Sequence, residues 1–305
     1  MKKNAIMYHM KRIKKNRLMI CSAVASMLTA ISLMALKTVG FLGTGSVAVL
    51  SSLLDSVQDF LTASINMVAV HQAIQPADKA HRFGHGKAQG IGSLIQSVII
   101  GLSAIWLLKE SLGHLINHTA VHNVQLGVWV VLLSGGITVG LVGFQNYVVK
   151  HTGALSIKAD RAHYMGDVLM NLGVLVSLWL STAFGIVWVD GVFGILVALY
   201  LLYSIWHIMV EACAMLMDKE LPQKIRQDIR ALALAVPLVK NVSSLKSREG
   251  GNNRFVQFNA QFDGDISLKT AHEQLDEIEK NILQKYPDMQ VIIHAEPFDE
   301  TKLKQ

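Results

Sequence analysis

The 305-residue chain is 51% hydrophobic and only 16% charged, with a formal net charge of +6. Ordinary soluble domains carry about 25% charged residues, so this composition argues against a water-soluble enzyme and for a membrane protein. Cys21 and Cys213 fall in separate apolar stretches, which indicates neither a disulfide framework nor a thiolate metal site.

Residues 1–17 form a basic tail with Lys2, Lys3, Lys11, Arg12, Lys14, Lys15 and Arg17 and no acid. Directly before an apolar run, such a tail sets membrane orientation rather than binding nucleic acid, and it lacks the plan of a cleaved signal peptide. Residues 18–36 hold no charge over nineteen positions, close to the roughly 20 needed to span a bilayer. Comparable runs follow at 46–71, 88–108, 124–149, 159–184 and 187–217, which makes six predicted spans. Connections on the side of the tail carry Lys79, Arg82 and Lys87, then Lys150, Lys158 and Arg161. Those on the other side, "GFLGTGS", "GHLINHTAVHN" and "AFGIVW", carry no Lys or Arg. This asymmetry places both termini in the cytoplasm of a multi-pass protein of the inner (plasma) membrane.

After Met217 the chain turns polar. Residues 222–235 read as an amphipathic helix, 239–246 and 254–262 as strands around "SREGGNNR", 267–285 as a helix capped by Ser267, and 290–294 as a third strand. The order αββαβ suits an open-faced sandwich with helices on one side of the sheet, and its sheet edges make a homodimer plausible. The expected organisation is a tail at 1–17, a six-helix transmembrane domain at 18–217 and a cytoplasmic α+β domain at 218–305.

Ionisable residues at membrane depth cost roughly 2.5–3.5 kcal/mol each on insertion scales and are functional candidates by default. Asp55 and Asp59 lie four apart in the second span, and His163 and Asp167 four apart in the fifth. Residues four apart share one helix face, about 6 Å from each other. If the two faces meet, three carboxylates and one imidazole surround a point, a tetrahedral O3N set suited to Zn2+, with Cd2+, Fe2+ and Co2+ as alternatives and Mg2+ or Ca2+ disfavoured. Asp78, His81 and His85 form a second set in the loop "QPADKAHRFGHGKAQG", where Gly84 and Gly86 allow the backbone to turn. His272, His294 and Glu296 are a third, in the C-terminal domain. His114, His118 and His122 recur every four residues and read as an interfacial helix end.

"GTGSVAVLSSLLDSVQD", "QPADKAHRFGHGKAQG" and "KADRAHYMGDVLMN", in this order on six spans with an αββαβ tail, resemble the cation diffusion facilitator family, most like its bacterial ferrous-iron and zinc efflux branch. The resemblance runs from about Leu18 to Pro297. It implies a transport site at Asp55, Asp59, His163 and Asp167, a loop site at Asp78, His81 and His85, and a charge interlock between subunits through Lys87 and Asp218. It also implies metal-binding positions at His272 and His294. Ser243 and Asn259 stand where that branch has histidines, and Glu296 where it has an aspartate, so at most one metal is expected there.

The expected function is efflux of a divalent metal in exchange for protons by alternating access, with His163 as proton exchanger because its ordinary pKa lies in the working range. Its partners are the bilayer, divalent ions, protons and a second copy of the chain, with no nucleic acid. Zn2+ is the expected substrate, with a structural ion a second role open to it. A membrane metal sensor or storage protein is the alternative. An intramembrane metallohydrolase is less favoured, since no HExxH occurs and "FDGD" lies in the soluble tail.

Overall fold

A computed structural model describes residues 2–44, 47–117, 124–184, 188–251 and 253–298. The elements are α1 (Lys2–Thr44), α2 (Val47–Ile74), α3 (Ala88–Asn117), α4 (Val124–Thr152), α5 (Leu155–Phe184), α6 (Val189–Leu216), α7 (Gln223–Leu234), β1 (Asn241–Gly250), β2 (Asn253–Phe262), α8 (Leu268–Lys285) and β3 (Met289–Pro297). They separate into two compact units. One contains residues 15–73 and 88–213, and the other contains residues up to 14, 74–87 and 214 onward. His118 and His122 lie outside the described residues.

The first unit is helical, and α1, α3, α4, α5 and α6 each contain a stretch long and apolar enough to cross a membrane. At 28 residues α2 matches them in length, with Asp55 and Asp59 within it. The basic tail does not stand apart from the first span: Lys and Arg are good helix formers, no Gly or Pro interrupts the chain before Gly40, and α1 runs through both.

Apolar side chains turn outward in this unit, among them Leu102, Trp106, Trp179, Tyr203 and Trp206, while Ser26, Asp59, Thr62, Asn66, Gln96, Gln145, Asp160 and His163 are buried. That inversion is stable only when the solvent is lipid, which accepts the apolar surface and leaves polar groups to partner one another inside. Small residues permit close helix approach. At Gly92 on α3 a side chain would collide with Ala69 on α2, and at Gly194 on α6 with Ser111 on α3.

In the second unit β1 and β2 pair antiparallel, while β2 and β3 pair parallel through the α8 crossover, in the order β1-β2-β3. Alternate residues Val256, Phe258, Ala260 and Phe262 of β2 face a core with Ile229 and Ala233 of α7 and Ile278 and Ile282 of α8. The other sheet face carries no helix from the described elements of this domain. The α8 start follows its sequence signal, with the Thr270 N–H donating to Ser267 Oγ at 3.1 Å. The strands of the hairpin are longer than the propensities predict, because pairing continues to Gly250 and Asn253 and the chain reverses at Gly251 with φ +72°.

Candidate metal centre

On α2, Ser56, Asp59, Thr62 and Asn66 are buried, at offsets of three, three and four that keep them on one helix face. On α5 the buried residues include Asp160, His163 and Tyr164. The faces meet at His163, whose Nε2 lies 2.9 Å from Asp59 Oδ1. With Asp167 they form a group whose ligand atoms all lie within 4.8 Å of one another. His163 and Asp59 are 5% and 6% exposed, and Asp167 is half-buried. Two oxygens and one nitrogen so close together, shielded from water, suit a dehydrated divalent transition-metal ion. Asp55, one turn nearer the start of α2, is exposed and lies outside this group, so the structure assembles three of the four expected residues.

The loop set also assembles. The Asp78 carboxylate accepts from the backbone N–H groups of Ala80 at 2.8 Å and His81 at 2.6 Å, closing an Asx turn. The backbone N–H of His81, with that of Ala80, holds the Asp78 carboxyl below its ordinary value. Gly84 turns the chain at φ +83°. His81 Nδ1 and His85 Nε2 then stand 3.1 Å apart, at 3.5 and 3.4 Å from the two Asp78 oxygens, and the three ligand atoms again fall within 4.8 Å.

The C-terminal set does not assemble within the chain. His272 on α8 is exposed, 4.0 Å from Asp276. His294 alternates with Ile293 and Ala295, which pack against the helix-covered core, so it points to the opposite sheet face. Ser243, Asn259 and His294 form one row across the three strands. From that row the Asn259 side-chain N–H reaches Glu296, in register with the neighbouring Gln261, and donates to its Oε1 at 2.7 Å, an amide–carboxylate hydrogen bond among positions where the resemblance implies metal.

Lys87 Nζ lies 2.9 Å from Asp218 Oδ1 within the chain, whereas the resemblance implies a pair between subunits. Arg248 Nη1 reaches both Asp218 oxygens, at 3.2 and 3.3 Å. Burial pushes the Asp218 carboxyl up, but Lys87 and Arg248 outweigh it and hold the group below its ordinary value. The Arg248 guanidinium also lies over both the Phe83 and Phe255 rings, 4.7 and 4.8 Å from their centroids, and the two rings meet edge to face at 5.5 Å, which ties the Asp78–His85 loop to the hairpin by cation–π and aromatic contact. Two features escape the sequence reading, this clamp and the buried carboxylate of Asp160. The second had a signal, since it is an acid inside the predicted fifth span.

A polytopic helical domain with a buried Asp/His cluster, joined to an α+β domain, defines a membrane transporter of metal cations. Residues 23–217 match the cation efflux transmembrane domain and residues 221–298 the cytoplasmic domain of cation efflux proteins. The chain belongs to the cation efflux family. The Cation-efflux pump FieF of Pectobacterium atrosepticum is 35% identical over 281 residues, covering 92% of this chain and 93% of that protein. The pump of the same name from Klebsiella pneumoniae subsp. pneumoniae is 36% identical over the same shares. A solved structure on the mode of action of CzrB, in its Zn form, is 34% identical and covers 28% of this chain and 97% of that one, with a TM-score of 0.26. The protein is a divalent-cation efflux transporter of the membrane, not an enzyme.

Proposed function

We propose that the protein exports Zn2+ from the cytoplasm across the inner membrane in exchange for protons, using Asp59, His163 and Asp167 as the transport site. The carrying observation is the 2.9 Å contact between His163 Nε2 and Asp59 Oδ1. Without metal, His163 in its imidazolium form donates Nε2–H to the carboxylate and keeps its second proton on Nδ1. A metal that binds Nε2 displaces the Nε2 proton and leaves a neutral imidazole, so binding releases one proton. When the site opens to the other side, a returning proton competes the ion away, and the cycle couples one flux to the other. Asp55 completes the set if α2 or α5 shifts during the cycle. Fe2+, Cd2+ and Co2+ suit the same mixed donors.

The loop residues Asp78, His81 and His85 form an accessory cytoplasmic binding point. The C-terminal domain supports a homodimer, and its metal-binding role is reduced to His294 and Glu296 at most. Both termini are cytoplasmic by the charge bias of the connections.

The test is zinc-dependent proton flux in proteoliposomes containing the full chain under an imposed pH gradient. His163→Ala is expected to lower that flux at least about 100-fold, as loss of a ligand in a closed site does. Flux at wild-type level overturns the assignment, and zinc binding without flux in the wild-type protein identifies a sensor or store instead.

A further inference from the structure

Asp160 is fully buried inside the membrane unit and is not among the residues that gather around His163. Its Oδ2 accepts from Ser26 Oγ on α1 at 2.6 Å, Asn66 Nδ2 on α2 at 3.1 Å and Gln145 Nε2 on α4 at 2.8 Å. All three donors are themselves buried, and none carries a charge. Its Oδ1 has no hydrogen-bond partner among the described residues. One turn further along α5, the Tyr164 hydroxyl donates to the Ser26 carbonyl at 3.3 Å, so α1 is held at two adjacent points.

A buried carboxylate is costly in lipid, and hydrogen bonds to an ionised acceptor are roughly twice as strong as neutral ones. Three such bonds from three helices to one atom fix both the height and the rotation of α5. Rotation decides the site. With 100° per residue, turning α5 by one residue's worth would swing His163 off Asp59. The α2 side shows the same logic. Asn66 lies seven residues after Asp59, two turns along one face, while Asp160 lies three before His163. The bonds Asp59–His163 and Asn66–Asp160 are therefore successive cross-links between two antiparallel helices.

We propose that Asp160 is a positioning residue of the transport site, its Oδ2 gripped by Ser26, Asn66 and Gln145 so that α5 presents His163 and Asp167 to Asp59. The proposal rests on the reading of that cluster as the transport site. Asp160→Asn can place an amide oxygen where Oδ2 sits and keep all three donors, whereas Asp160→Leu removes the acceptor.

The test measures zinc transport in proteoliposomes containing equal amounts of full-length protein. Asp160→Asn is expected to raise the KM for zinc up to about fivefold, with Vmax within about twofold and an unshifted pH profile. Asp160→Leu should raise KM at least about 20-fold, and Asn66→Leu and Gln145→Leu should fall between. Loss of transport or a displaced pH profile in Asp160→Asn overturns the proposal, because the charge itself is then required. A wild-type KM in Asp160→Leu also overturns it. If that variant does not insert, a wild-type KM in both Asn66→Leu and Gln145→Leu does so. His163→Ala is measured alongside. If it is inactive while the Asp160 variants behave as wild type, only the positioning role fails; if it is active, the site reading itself has failed.

Discussion

Two clusters of Asp and His, each with ligand atoms within 4.8 Å of one another, are built in opposite ways. The loop cluster comes from eight consecutive residues, Asp78 to His85, organised by an Asx turn and a glycine at φ +83°. It is open to water, with His81 62% exposed in its side chain. The membrane cluster joins residues 104 positions apart, is shielded from water, and is braced by the three-helix grip on Asp160. An exposed local cluster can take up and release an ion with small changes of a loop. A buried cluster built across helices can open only if helices move, which is what the proposed transport site requires of alternating access.

That contrast is broken most severely by changing the chemistry of the buried set. His163→Asp replaces the only nitrogen among its ligands with oxygen, so zinc transport is expected to fall at least about tenfold and preference to move toward harder ions such as Mn2+. Competition assays in vesicles measure this, and an unchanged metal profile would count against the mixed-donor reading. Asp78→Ala, by contrast, should lower zinc transport only about three- to tenfold, by loss of both ligand and turn. A complete loss would place the loop on the obligatory path.

The smallest effect is expected from Arg248→Ala. It removes one partner of Asp218 and frees Phe83, so tryptic cleavage at Arg82 should accelerate about threefold, with transport changing less than about twofold. The acid dependence of this anchor follows from the lowered Asp218 carboxyl. A depressed folded-state value means that its stabilisation is present above the ordinary carboxylate pKa of about 3.9 and is lost as the pH falls through the lower folded value. Cleavage of the wild-type loop, normalised at each pH to cleavage of an unstructured peptide of the same sequence, should therefore be constant from pH 8 to about pH 5, and acceleration within that window would remove Asp218 from the anchor.

Long apolar runs made the spans legible: apart from α1, which starts sixteen residues before its predicted stretch, the helices begin and end within about nine residues of those stretches. Ser267, with its cap, and the alternating residues of β2 made the cytoplasmic fold legible in the same local way. Pairing of residues four apart on α2 and α5 pointed to Asp59, His163 and Asp167, which the fold brings together. The exclusion of Asp55 from the group was not legible, because spacing on one helix says nothing of how far the neighbouring helix reaches. Arg248 was equally silent, since its partners Phe83, Phe255 and Asp218 come from three separate segments. Asp160 was overlooked at the edge of a span because its donors are neutral residues that carry no ligand signature.

The 104-residue separation between Asp59 and His163 also has a consequence for biogenesis. At about 5–20 residues per second, a ribosome needs roughly 5–20 s to make the stretch between them. Throughout that interval α2 carries its carboxylates without the imidazole that will face them. Newly made α2 therefore depends on the insertion machinery, or on protonation of its acids, until α5 arrives, and completion of the Asp59–His163 pair coincides with retention of the second helix in the bilayer.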